Sequence, residues 1–284
     1  MQRPAVAAYL ACAFIWGTTW YAIRVCIREI PTMDAVAIRF VIAALVLLPV
    51  ALRARPWPMR SAWPWLVLAG VLDAAGYALV YYGEQDISGG LAAVLYGTQP
   101  LVLAVLLTAT RMERIGRRHV IGALVSLGGV AVIFADRLHV SANQAVGVAL
   151  VIASVVVATT YSMIMKRHAG KTHGAVTTWI FLAVTAFALG VAALVVHEPI
   201  PWPPPVAPSL ALLYLALVGS VIAFLCYFWL LEHTSLLVTS TLVFVFPIIA
   251  LVTDAIAEDG SLTARAYAGA AITLGGLALS LRRA

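Results

Sequence analysis

Gly122-Ala123-Leu124-Val125-Ser126-Leu127-Gly128-Gly129 recurs as Gly269-Ala270-Ala271-Ile272-Thr273-Leu274-Gly275-Gly276, with five of eight residues identical. Two further positions change conservatively, Val125 to Ile272 and Ser126 to Thr273. The copies lie 147 positions apart, and the same offset, without a gap, lays Pro100 on Pro247, Arg118 on Arg265 and Ser88 on Ser235. A self-match held over that distance marks a duplicated unit. Both copies sit in strongly apolar surroundings, the pattern in which internal duplication builds membrane carriers.

Composition sets the solvent. Of 284 residues, 63% are hydrophobic and only 11% charged, and the mean hydropathy is +1.00. A water-soluble domain carries about 25% charged residues, so this chain lacks the means to cover a water-facing surface and reads as an all-α integral membrane protein. The net charge of +6 comes from short basic clusters between apolar runs. Such clusters fit membrane topology and exclude a nucleic-acid surface. Cys12, Cys26 and Cys226 have no paired spacing, and the histidines have no zinc-ligand spacing; neither a disulfide framework nor a metal or cofactor is expected. The apolar run 5–23 exceeds a signal-peptide core and has a later counterpart, so it reads as a retained span.

A helix needs about 20 apolar residues to cross hydrocarbon. Ten segments qualify: 5–23, 35–52, 63–82, 90–110, 119–135, 145–165, 174–196, 210–231, 236–256 and 264–281. With the N-terminus inside, thirteen Lys and Arg fall in inner connections and four (Arg24, Arg28, Arg137 and Arg265) in outer ones. That bias places both termini in the cytoplasm. Helices three to five match eight to ten at the 147 offset. The first matches the sixth at 141, with Trp16-Gly17-Thr18-Thr19-Trp20 over Val157-Ala158-Thr159-Thr160-Tyr161. Each half, 1–138 and 139–284, therefore holds five spans. Five is odd, so the second half must run upside down, which puts a shared cavity near the midplane.

Ten spans in two halves, Trp16-Gly17-Thr18, the paired prolines Pro100 and Pro247, and the paired Leu-Gly-Gly segments together resemble the EamA branch of the drug/metabolite transporter superfamily. The resemblance covers essentially the whole chain and extends to YddG-like aromatic amino-acid exporters. It implies a multi-pass carrier of the cytoplasmic membrane that exports amino acids or related metabolites by alternating access. The partners are then a small solute and the lipid bilayer. The oligomeric state stays open, a monomer included.

Several residues are candidates for the solute site. Asp73, Tyr77, Tyr81 and Glu84 recur at helical spacing on one side of helix three. A polar stripe on an apolar helix faces protein or a wet cavity. The aligned stripe of helix eight (Ser220, Phe224, Phe228, Leu231) is far less polar, which favours cavity lining over symmetric scaffolding. A bare carboxylate at Asp73 costs roughly 2.5–3.5 kcal/mol or more in mid-membrane. It is either a proton or amine site or a carboxyl held neutral by a hydrogen bond. Arg39 lies inside helix two; snorkelling to the interface is the default expectation, with pairing to Asp34 or Glu84 or attraction of a solute carboxylate as the alternatives.

In helix four, Pro100 deprives the Tyr96 carbonyl of its helical partner, and Gln99 adds an amide nearby; Pro247 does the same to Val243. Trp16, Trp20 and the aligned Tyr161 offer aromatic walls for flat or cationic ligands. Tyr227 is preferred as a site residue, although Tyr227 and Trp229 cannot both face inward. Trp57, Trp63, Trp65, Trp179 and Trp202 suit the membrane interfaces. Gly17, Gly128, Gly129, Gly275 and Gly276 read as close-packing points. Efflux of hydrophobic organic cations is the competing transport reading. A membrane-embedded enzyme is disfavoured, since no catalytic constellation falls within the spans.

Overall fold

Apolar runs of this length have one stable form in hydrocarbon, because a helix satisfies its own backbone N–H and C=O groups. The computed structural model describes residues 3–86, 89–112, 115–135, 144–196, 199, 203–257 and 263–281, and among them it holds helices and no strand. The N-terminal part comprises α1 (Arg3–Ile27), α2 (Thr32–Arg53), α3 (Trp63–Asp86), α4 (Gly89–Tyr96), α5 (Gln99–Thr110) and α6 (Arg117–Ile133). The C-terminal part comprises α7 (Ala145–His168), α8 (Gly174–Val196), α9 (Val206–Ala216), a π-helical turn (Leu217–Ile222), α10 (Ala223–His233), α11 (Leu236–Ser240), α12 (Leu242–Ala257) and α13 (Ala264–Leu281).

Among the described residues, eight helical stretches are long and apolar enough to cross a membrane, and a shorter apolar stretch covers Val94–Thr110. Their outward faces carry large apolar side chains with no protein partner: Phe187, Leu194 and Val195 are 75%, 79% and 80% exposed. A monomer in water rarely tolerates such a surface; in lipid it costs nothing.

Three expected single helices are interrupted. The stretch 90–110 divides at Gly97–Thr98 into α4 and α5, and Pro100 falls in the first turn of α5 rather than in mid-helix. Proline needs no N–H partner in a first turn, so the helix stops and restarts around it. The stretch 236–256 divides at Thr241, and Pro247 lies inside α12, six positions beyond the break. The Thr241 hydroxyl donates to the carbonyl of Val238 at 2.7 Å. The stretch 210–231 carries the π turn, which no feature of the sequence pattern announces.

The halves interlock. α2 packs on α8, α6 on α13, α3 on α7, and α1 on α9 and α10. His173 N–H at the start of α8 donates to the carbonyl of Pro56, just past α2, at 2.9 Å, so these two helices run antiparallel. The α6–α13 seam is closest. A Cβ on Gly122 would lie 2.6 Å from the carbonyl oxygen of Gly276, and one on Gly129 would lie 2.5 Å from the nitrogen of Thr273. Helix backbones touch there because nothing stands between them. Gly128 and Gly275, expected to act likewise, face open space. Successive helical residues point about 100° apart, so one glycine of each pair can meet the partner helix. Gly17 does close-pack, against Ile249.

Phe40, Phe181, Phe224 and Leu182 form a common core from α2, α8 and α10. At one end of the bundle Lys166 donates to the carbonyls of Leu231 and Thr234, each at 2.6 Å, satisfying the carbonyl end of α10. Trp57 lies 6.3 Å from Trp63 and 6.0 Å from Trp179 between ring centroids at the same end as His173 and Pro56.

Candidate functional site

A cavity of about 170 Å³ lies between the two parts of the chain. α1 supplies Trp16, Thr19 and Trp20 to its wall, and α3 supplies Asp73, Tyr77 and Tyr81. Tyr96 ends α4 and Gln99 starts α5, so the helix break itself opens onto the cavity. From the other part come Tyr161 on α7 and Tyr227 on α10, together with Phe224, Val243 and Phe246. Trp16, Trp20, Asp73, Tyr77, Tyr81, Tyr96, Gln99, Tyr161 and Tyr227, each a candidate from the sequence, thus line one cavity. The side chain of Glu84, fourth on the α3 stripe, lies outside the described residues, as does Trp202.

The aromatic wall is held by mutual contact. Trp16 lies 5.1 Å from Tyr227, 5.6 Å from Phe224 and 5.6 Å from Phe246, in tilted or edge-on arrangements that aromatic pairs prefer. Its indole N–H donates to the carbonyl of Gly219 at 3.3 Å. The Tyr227 hydroxyl meets Ser162 Oγ at 2.8 Å, and Ser154 Oγ donates to the Tyr96 hydroxyl at 3.1 Å. Trp20 and Tyr96 face each other edge-on at 6.5 Å. Trp229 is 36% exposed and stacks on His233, which leaves the cavity to Tyr227. Below, the Tyr9 hydroxyl meets Thr241 Oγ1 at 3.0 Å, tying α1 to the break between α11 and α12.

Arg39 does not snorkel. It is 2% exposed and lines the cavity. Its Nε donates to Ser220 Oγ at 2.8 Å and its Nη2 to the carbonyl of Gly219 at 3.2 Å, with the Tyr77 hydroxyl at 3.5 Å. The guanidinium carbon sits 5.3 Å from the Phe40 ring centroid and 5.4 Å from that of Tyr77. Both acceptors, Ser220 and Gly219, lie within the π turn Leu217–Ile222. Hydrogen bonds to an ion are worth about 1.5–3 kcal/mol each. Two of them offset the roughly 2.5–3.5 kcal/mol that an arginine costs in mid-membrane. Among the described residues, Asp34 included, no carboxylate comes within ion-pair distance of Arg39.

Asp73 is equally buried, at 2% exposure. Thr185 Oγ1 stands 3.1 Å from Asp73 Oδ2, 3.1 Å from the carbonyl of Gly70 and 2.9 Å from the carbonyl of Phe181. One hydroxyl hydrogen serves one of these three acceptors at a time, so Asp73 has a part-time partner.

Sequence reasoning missed Thr185, the π turn and the depth of Arg39. A signal was available: Ser220, which holds Arg39, is the 147-offset mate of Asp73. Among the described residues no three His, Cys, Asp or Glu side chains gather as a metal site.

Comparisons with known proteins fit this architecture. The chain is similar to the uncharacterized inner membrane transporter YedA of Escherichia coli K12, 27% identical over 255 residues, 87% of this chain and 81% of that protein. It is similar to the protein PagO of Salmonella typhimurium, 25% identical over 262 residues, 86% of this chain and 81% of that one. A solved crystal structure superposes with a TM-score of 0.82 at 20% identity, covering 99% of this chain and 97% of the other, which shows a shared fold. The model of the EamA-like transporter family matches residues 3–135 and again 145–282. The chain is a membrane transporter and belongs to the EamA-like transporter family.

Proposed function

We propose that this transporter exports amino acids, aromatic ones included, and related small metabolites across the cytoplasmic (inner) membrane. Ten spans form two inverted five-helix repeats, residues 1–138 and 139–284, with both termini cytoplasmic. The halves rock about the cavity in alternating access, so that solute meets one face of the membrane at a time. The location draws on the printed name of YedA, an inner membrane transporter.

One observation carries the reading. The cavity combines an extended aromatic wall (Trp16, Trp20, Tyr161, Tyr227) with a buried cation, Arg39, and a buried carboxyl, Asp73. A solute that fits must offer flat apolar area and polar groups of both signs. Efflux of hydrophobic organic cations accounts for the aromatics and Asp73 but must bring a second positive charge beside Arg39, where low dielectric magnifies repulsion. The test is counterflow in proteoliposomes with a panel of labelled solutes. Saturable counterflow of phenylalanine and tryptophan is expected; counterflow of lipophilic cations with none of any amino acid would overturn the assignment.

A further inference from the structure

The cavity holds two ionisable groups, a guanidinium and a carboxyl, and their placement follows the internal repeat. Asp73 and Ser220 are repeat mates, 147 positions apart; Arg39 on α2 and Thr185 on α8 lie 146 apart, in the second helix of each half. Arg39 bonds Ser220 at 2.8 Å, and Thr185 lies 3.1 Å from Asp73. These are the same contact made twice, once on each side of the pseudo-two-fold axis: second helix of one half to third helix of the other. In one copy the second helix carries the ionisable group, the Arg39 guanidinium; in the other the third helix carries it, the Asp73 carboxyl.

Each group has capacity to spare. Arginine has five N–H donors. Nε is committed to Ser220 and Nη2 to Gly219, while among the described residues Nη1 makes no hydrogen bond. Asp73 shares its one hydroxyl donor with two carbonyls. The two groups line one cavity without pairing, and Tyr77 stands between them, one helical turn from Asp73 and 3.5 Å from Nη2. Arg39 is held by neutral partners alone, so a ligand that brings the opposite charge adds a charge–charge contact that the protein does not supply. A monovalent cation or anion relieves one group and opposes the other. A zwitterion relieves both.

We infer that the cavity reads the zwitterionic headgroup of an α-amino acid: Arg39 takes the carboxylate, Asp73 takes the ammonium group, and the side chain lies against Trp16 and its aromatic neighbours. The inference rests on the amino-acid reading above and adds to it which group meets which end of the solute. Nη1, with two N–H donors uncommitted, can give a carboxylate a charge-assisted hydrogen bond.

Labelled phenylalanine in proteoliposome counterflow, with unlabelled competitors, tests it on the unaltered protein. Phenethylamine lacks the carboxylate and 3-phenylpropionate lacks the ammonium group; each should compete about 10- to 100-fold more weakly than phenylalanine, the loss of one charge-assisted contact. In Arg39→Gln the gap between phenylalanine and phenethylamine should close, and in Asp73→Asn the gap between phenylalanine and phenylpropionate. Phenylalanine counterflow in which either analogue competes as well as phenylalanine on the unaltered protein would overturn the headgroup assignment and leave the amino-acid reading standing. No counterflow of any amino acid would remove both.

Discussion

Ser126 donates its hydroxyl hydrogen to the carbonyl of Thr273 across 2.9 Å, and these two residues are 147 positions apart, mates in the duplicated stretch. Repeat mates can touch only where the repeat's symmetry axis passes between them. The flanking contacts agree: Gly122 meets Gly276 and Gly129 meets Gly269, and exchanging each residue for its mate turns one pair into the other. The stretch that betrays the duplication in the sequence is a line of contact between the two halves in space.

Glycine substitutions along that line should separate by one residue. A Cβ at Gly129 would lie 2.5 Å from Thr273 nitrogen and 2.7 Å from the Gly269 carbonyl oxygen, backbone that cannot move aside, whereas Gly128 meets nothing within 4 Å. Gly129→Ala should destabilise by about 1–3 kcal/mol through overpacking. Gly128→Ala should be neutral or gain up to about 1 kcal/mol from helix propensity. Thermal unfolding in detergent compares them; equal effects would mean that the seam is not close-packed.

Ser220→Ala should leave Arg39 Nε buried without an acceptor. The expected loss is about 1–3 kcal/mol in detergent stability. An unchanged melting curve would show that Arg39 finds another partner.

Much of this site was legible beforehand, for an electrostatic reason. Asp73, Tyr77 and Tyr81 stand out because polar groups on an apolar helix are expensive and must face something wet or paired. Tyr161 stands out because the alignment of the first and sixth helices lays it on Trp20. Arg39 was misjudged because the length of an arginine permits snorkelling near a helix end, and only the tertiary structure reveals an acceptor closer than the interface. That acceptor lies in the π turn at Leu217–Ile222, which leaves no mark in hydrophobic spacing. The break at Gly97–Thr98 was half legible: Pro100 marks the place, but proline is compatible with a kink as well as with a restart.

Amino-acid affinity should depend on pH through Asp73. Protonating the carboxylate removes the partner of the ammonium group, so affinity falls as the pH falls. Asp73→Asn should show weaker binding and a flat profile. Half-saturation concentrations across pH in proteoliposomes decide it, and an unaltered pH response in Asp73→Asn would discard the role.

Trp16→Ala and Tyr77→Ala should impair bulky solutes more than small ones. Trp16 contacts three other rings at 5.1 to 5.6 Å and forms wall rather than headgroup contact. Transport of tryptophan should fall further than transport of alanine. Equal losses would assign both side chains to packing.

The most direct test of the inverted arrangement is residue-by-residue labelling from either face of the membrane. Met59, 56% exposed in the connection after α2, and Pro203, exposed in the connection before α9, stand at equivalent places in the two halves. Single cysteines there, in a chain with Cys12, Cys26 and Cys226 replaced, should react with a membrane-impermeant maleimide from opposite faces: position 59 from the cytoplasm and position 203 from outside. Labelling of both from one face would mean that the halves insert the same way up, and the two-fold cavity described above would lose its basis.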